Sequence, residues 1–173
     1  LFVFVGDHGI GGNAAAMFPG AWTDQRLTCY HVPLLFYAPK LLKPQRIHSV
    51  ASQVDVLPTV AGLAGISYRN GALGRDLLAQ QARDGGRSNT AFVVDHNSKS
   101  IGVVQGSYFS NHQVGGTRQE FVWADFAAPV APAGAGASGD EHRLTAEAFY
   151  ETARYLLLHN KKTPGRPGGE SSD

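Results

Sequence analysis

Asp7 and His8 are the residues whose types and spacing most directly suit chemistry. They stand between two glycines, as Gly6-Asp7-His8-Gly9, immediately after the apolar run Leu1-Phe2-Val3-Phe4-Val5. A carboxylate oxygen beside an imidazole nitrogen suits a divalent cation of borderline hardness such as zinc or manganese. Neighbouring side chains within a strand point to opposite faces. Just past a strand end the backbone turns, and two consecutive side chains can then aim at one ion. Gly6 and Gly9 permit the unusual dihedrals and the close approach that such a turn requires. The plainer alternative is a helix cap followed by a surface histidine. Two donors also fall short of the three or four that a tight site needs.

The elements that must position this pair can be read outward from it. Residues 1–5 are short, continuously apolar and rich in β-branched and aromatic side chains, the pattern of a strand buried on both faces in a parallel sheet. Such a sheet binds ligands at the carboxyl edge of its strands, where Asp7 and His8 fall. A Gly- and Ala-rich loop leads to a second buried strand at 32–38, closed by Pro39. A helix starts near Ser52, with Ser52 or Asp55 as cap and Pro58 tolerated in the first turn. Val56, Val60 and Leu63 follow helical spacing, and Gly65 is the stop. Gly74-Arg75-Asp76 predicts a tight turn in which Arg75 and Asp76 pair.

The texture then changes. Segments 91–95, 101–105, 108–112 and 121–124 read as short strands separated by turn residues, an antiparallel meander. Residues 127–139 are Ala, Pro, Gly and Ser with one Val, the composition of a flexible linker. A final amphipathic helix runs from about 145 to 160, with Phe149, Ala153, Leu156 and Leu157 as its apolar stripe. The expected organisation is therefore a unit at 1–85, a meander at 86–126, a linker at 127–143, a helix at 144–162 and a disordered tail at 163–173.

Bulk properties narrow the function classes. A net charge of +1 leaves no broad electrostatic footprint for nucleic acid, and the one basic cluster is Lys161, Lys162 and Arg166 near the end. Cys29 is the single cysteine, which excludes an internal disulfide and a cysteine zinc cluster. No apolar stretch approaches the roughly 20 residues of a membrane span, so no membrane contact is expected from this segment. The chain opens at Leu1, inside an apolar run and without Met, which reads as a truncation of a longer protein.

Four segments, taken in order, carry a family resemblance. They are Phe4-Val5-Gly6-Asp7-His8-Gly9, His31-Val32-Pro33-Leu34-Leu35-Phe36-Tyr37-Ala38-Pro39, Ser52-Gln53-Val54-Asp55-Val56-Leu57-Pro58-Thr59 and Leu73-Gly74-Arg75-Asp76-Leu77-Leu78. In this order and spacing they resemble the C-terminal part of sulfatase-like enzymes of the alkaline phosphatase superfamily, in the manner of lipoteichoic acid synthases and related phosphoglycerol transferases. The resemblance spans residues 1–78 and extends more weakly to the meander and final helix. It implies an α/β fold: part of an alkaline-phosphatase-like sandwich with a mostly parallel sheet, a small antiparallel C-terminal subdomain and a terminal helix.

The resemblance also implies a divalent ion held by Asp7 and His8 with an acidic residue and a nucleophile that lie upstream. Manganese, zinc or magnesium ranks ahead of calcium. A phosphate- or sulfate-ester substrate follows, as do an extracytoplasmic location and a parent protein anchored in the inner membrane. Thr23, Thr28, Ser49 and Ser52 do not occupy the nucleophile's setting, so none is nominated. His31, just before the second strand, is a candidate contact for a phosphate or sulfate oxygen, and Arg26 a weaker one. The expected function is a phosphoglycerol-type transferase fragment, inactive alone. The alternatives are a sulfatase or phosphatase acting on a soluble ester, and a non-catalytic fragment that binds a partner.

Other residues read as architecture. The 55–59 segment caps and packs a helix; Trp22 and Trp123 anchor packing; Cys29 is a small buried or half-buried hydrophobe; His96 and His112 are surface or satisfied histidines.

Overall fold

The computed structural model describes residues 1–12, 16–18, 20–24, 26–79, 90–96, 98–106, 108–113, 118–122, 131–132 and 137–159. Trp123 and the tail cluster at 161–166 lie outside the described residues.

The first half begins with strand β1 (Phe2–Val5), which pairs with β2 (Leu34–Tyr37). The apolar run predicts parallel neighbours, but these two strands are antiparallel, with Phe2 opposite Tyr37 and Phe4 opposite Leu35. Burial differs from expectation too: Phe2 is 64% and Phe4 58% exposed, and Leu35 and Tyr37 on the same face are also exposed. A two-stranded ribbon has too little surrounding sheet to cover that face, whereas Val3, Leu34 and Phe36 on the other are half-buried. Two short helices fill the connection, α1 (Gly20–Asp24) and α2 (Leu27–Tyr30), hinged at Arg26 with φ of 58°.

A 3₁₀ turn at Gln53–Asp55 opens helix α3 (Val56–Leu63). The sequence explains this entry: Ser52 and Asp55 form a capping box in which the Ser52 N–H donates to Asp55 Oδ2 at 2.9 Å. Gly65, with φ of +65°, ends the helix as read. The residues most buried along it are Pro58, Thr59 and Ala61, with Val60 and Leu63 only partly covered.

The second half is a five-stranded antiparallel sheet in sequential order. It comprises β3 (Thr90–Asp95), β4 (Ser100–Gln105), β5 (Tyr108–Gln113), β6 (Arg118–Val122) and β7 (Ala131–Pro132). The meander is present, and its last strand falls inside the stretch read as linker. The terminal helix α4 (Ala137–His159) also starts earlier than the 144–162 span, so 127–143 is not linker throughout. Asp140 in its first turn suits the positive end of the helix dipole and helps to explain the longer helix.

The sheet is covered on both sides. Ile101 and Val103 pack with Ala146 of α4, joined by Phe92, Val94 and Tyr150. On the opposite face Phe109 and Val104 meet Trp22, Leu27 and Phe18, so Trp22 is the packing anchor expected of it. Two-sided cover explains why Ser100, Ile101, Gly102 and Val103 are buried in succession. Along α4, Phe149, Ala153 and Leu156 are partly covered, but Leu157 is 84% exposed, so the stripe ends before the helix does. His112 is buried and lies 3.7 Å from Glu147 of α4, while His96 is exposed, the two alternatives read for this pair.

Candidate metal centre

The pair Asp7–His8 sits where β1 stops. The Gly6 N–H makes the last ribbon bond, to the Pro33 carbonyl at 3.1 Å. A side chain at Gly6 would crowd Val32, with an added Cβ only 2.9 Å from the valine Cβ. At Gly9 an added Cβ would overlap the Thr28 carbonyl oxygen. Positive φ angles among the described glycines belong to Gly65 and Gly106. Gly6 and Gly9 therefore serve close approach rather than unusual dihedrals. That approach lets the Gly9 N–H donate to Cys29 O at 2.8 Å and the Ile10 N–H to Thr28 O at 3.0 Å, fastening the loop to α2.

The Asp7 and His8 side chains stand side by side. The Asp7 carboxylate accepts from the His8 backbone N–H through Oδ1 at 2.9 Å. The His8 ring bonds the Gly9 carbonyl through Nδ1 at 2.9 Å. A carbonyl can only accept, so Nδ1 carries the proton, and in the neutral ring Nε2 keeps its lone pair. That Nε2 lies 3.9 Å from Asp7 Oδ2, and both side chains are open to solvent, 81% and 90% exposed. Two donors each about 2.1 Å from a tetrahedral ion would stand roughly 3.4 Å apart. Surface side chains can close that difference by small rotations. The Gly9 bond first, and the Asp7 charge second, raise the His8 pKa above its ordinary value. Among the described residues no group of three or more His, Cys, Asp or Glu side chains could hold a metal. Asp7 and His8 thus fit as two ligands of a site that needs more.

A residue read only as part of a helix cap proves to touch this loop. Gln53 donates through Nε2 to Gly6 O at 2.6 Å and to Asp7 O at 3.1 Å. Its signal was the motif Ser52-Gln53-Val54-Asp55, whose capping pattern fully explains Ser52 and Asp55 and says nothing of where position 53 points.

The two substrate-contact candidates are placed differently. The His31 ring stands edge-on to Trp22 (5.4 Å, 79°) and Phe18 (5.9 Å, 89°), and burial against them lowers its pKa. The residue itself is exposed to solvent. The Arg26 guanidinium lies 3.4 Å from Asp95, a buried carboxylate at the end of β3, and so ties the α1–α2 hinge to the C-terminal sheet. Cys29 is half-buried, its thiol 3.7 Å from the Ile10 carbonyl.

The Asp55–Thr59 segment is architectural, as its capping pattern predicts. Buried Asp55 accepts from the Arg75 backbone N–H at 2.9 Å, and the Arg75 side chain lies 3.9 Å from it. Arg75 also donates to the Val50 and Thr90 carbonyls. The expected pairing of Arg75 with Asp76 is replaced by this one. Asp76 instead accepts from the Leu78 and Ala79 N–H groups, the pattern of a cap, for which its short side chain is suited. Thr59, fully buried, donates to Asp55 O and accepts from the Leu77 N–H.

Residues 1–66 match the sulfatase family model. The matched stretch contains Asp7, His8, Arg26, His31 and Gln53. A crystal structure of a protein in the alkaline phosphatase superfamily from Vibrio parahaemolyticus is similar, with a TM-score of 0.67 and 21% sequence identity. The likeness covers 92% of this chain and 35% of that one, so this chain spans about a third of the length of that relative. No curated protein matches the sequence. The fold is accordingly α/β and similar to part of that protein's, with a small antiparallel sheet and a C-terminal helix.

Proposed function

We propose that this chain supplies the Asp–His half of a divalent-metal centre in an enzyme acting on phosphate or sulfate esters. In finer detail, we propose phosphoglycerol transfer in the manner of lipoteichoic acid synthases. The observation that carries the reading is the exit of β1, where Asp7 Oδ2 and the lone-pair nitrogen of His8 stand 3.9 Å apart and open to solvent. A cation bound there would polarise a nucleophile and stabilise charge on the transferring group. Manganese, zinc or magnesium fits the mixed oxygen and nitrogen donors better than calcium does.

The chain's own residues act around that centre. Gly9 and α2 fix the loop, and Gln53 holds its carbonyls. His31, in its aromatic corner, would donate one N–H to an ester oxygen, which can only accept. Arg26, engaged by Asp95, is the weaker contact. The nucleophile and remaining ligands come from an upstream part of the same enzyme, whose strands would cover the exposed apolar face of the β1–β2 ribbon. The parent acts outside the cytoplasm, anchored in the inner membrane by that part. No helix among the described residues is long and apolar enough to cross a membrane. The match to the sulfatase model favours one second reading, hydrolysis of a soluble sulfate ester.

The test is a paired assay with manganese on a chromogenic phosphodiester and a chromogenic sulfate ester. Residues 1–173 alone should turn over neither. A polypeptide extended upstream should cleave the phosphodiester and lose that activity on Asp7→Ala. Robust turnover by residues 1–173 defeats the incomplete-site reading, and preference for the sulfate ester defeats the transferase reading.

A further inference from the structure

We propose that Gln53 is a positioning residue: its carboxamide sets the backbone from which Asp7 and His8 reach their cation. The inference rests on the metal-centre reading above and adds to it a residue that contacts neither the ion nor a ligand side chain. One amide nitrogen carries two N–H donors, and Gln53 spends both on successive carbonyls, Gly6 O at 2.6 Å and Asp7 O at 3.1 Å. Those carbonyls belong to the two peptides that flank the Asp7 Cα, where the strand becomes the turn. Fixing both restricts the rotation that would swing Asp7 away from His8.

The anchor itself is held on its other side. Gln53 opens the 3₁₀ turn directly after Ser52, whose N–H and carbonyl are both bonded to Asp55. The Ser52 hydroxyl donates to the Phe92 carbonyl of β3 at 3.3 Å. A continuous set of bonds therefore runs from the C-terminal sheet through Ser52 to Gln53 and on to the metal loop, joining residues 40 and 46 to 47 positions apart in sequence. Gln53 is exposed, so water would satisfy its amide equally well. The net stability gained from such a bond is small. Orientation of metal ligands is a different matter, because partners behind the ligands commonly change metal affinity by about 10- to 100-fold.

The experiment is a manganese titration of the 173-residue chain, followed by paramagnetic broadening of the His8 ring signals, in wild type, Gln53→Met, Gln53→Glu and Asp7→Ala. Methionine keeps the length and loses both donors. Glutamate keeps the shape, loses the donors and adds a negative charge that would by itself strengthen cation binding. The inference predicts at least about 10-fold weaker binding for Gln53→Met and no gain for Gln53→Glu, with the thermal midpoint nearly unchanged. Affinity within twofold of wild type for Gln53→Met, or tighter binding for Gln53→Glu, overturns it. Absence of binding in wild type, equal to Asp7→Ala, removes the metal reading itself and is a different signature. Should Gln53→Met fail to fold, the wild-type Gln53 side-chain NH₂ signals decide: they must broaden with the first manganese bound, and sharp signals overturn the inference.

Discussion

A single imidazole shows how local chemistry prepares this loop. His8 spends Nδ1 on the carbonyl of the next residue, which leaves Nε2 as the one nitrogen able to meet a cation beside Asp7. Nearby, Tyr30 has a different constraint. Burial first, and the Asp95 carboxylate second, push its phenol up to about 12. A raised phenol pKa means that the unfolded chain loses this proton near pH 10 while the folded chain keeps it. Stability is thus intact below pH 10 and falls as pH rises from 10 toward 12. Denaturant unfolding at pH 9 and pH 11 should show that loss in wild type and a smaller one in Tyr30→Phe; equal losses would assign the alkaline sensitivity to other groups. The sequence singles out Asp7 and His8 because a glycine-flanked pair after an apolar run is a local signal. It left Gln53 silent, since its partners lie 46 and 47 residues away and capping already accounts for the motif around it.

Elements were legible where a pattern repeats and illegible where a neighbour decides. The meander followed from alternating short segments, and α3 from its cap, its Pro58 and its terminal glycine. The orientation of β1 was not in its residues, because a continuous apolar run does not say which strand pairs with it or whether its faces are covered. The start of α4 was hidden for a related reason: Ala137-Ser138-Gly139 has linker composition, and propensity yields to the packing of the helix on β4 and β5. Between the halves, the apolar joint is the cluster of Trp22, Leu27 and Phe109. Phe109 is fully buried, and Phe109→Ala should cost about 3–5 kcal/mol in denaturant unfolding. A loss under 1 kcal/mol would mean that the α1–α2 region does not depend on the sheet.

Across the whole molecule, the described residues make a scaffold with one loop presented at its surface. Gly9 fastens that loop to α2, Gln53 to the start of α3, and Arg26 carries α2's hinge to Asp95 on the C-terminal sheet. The scaffold therefore fixes the backbone of the two proposed ligands, and no group of three or more His, Cys, Asp or Glu that could hold a metal occurs among the described residues. Weak binding follows, because affinity for such ions grows with the number of donors that arrive prearranged. Manganese binding to residues 1–173, read from the paramagnetic resonance signal of the free ion, tests this most directly. Asp7→Ala and His8→Ala should each reduce a weak, single-site binding to background. Binding of equal strength in wild type and both variants would contradict the shared cation.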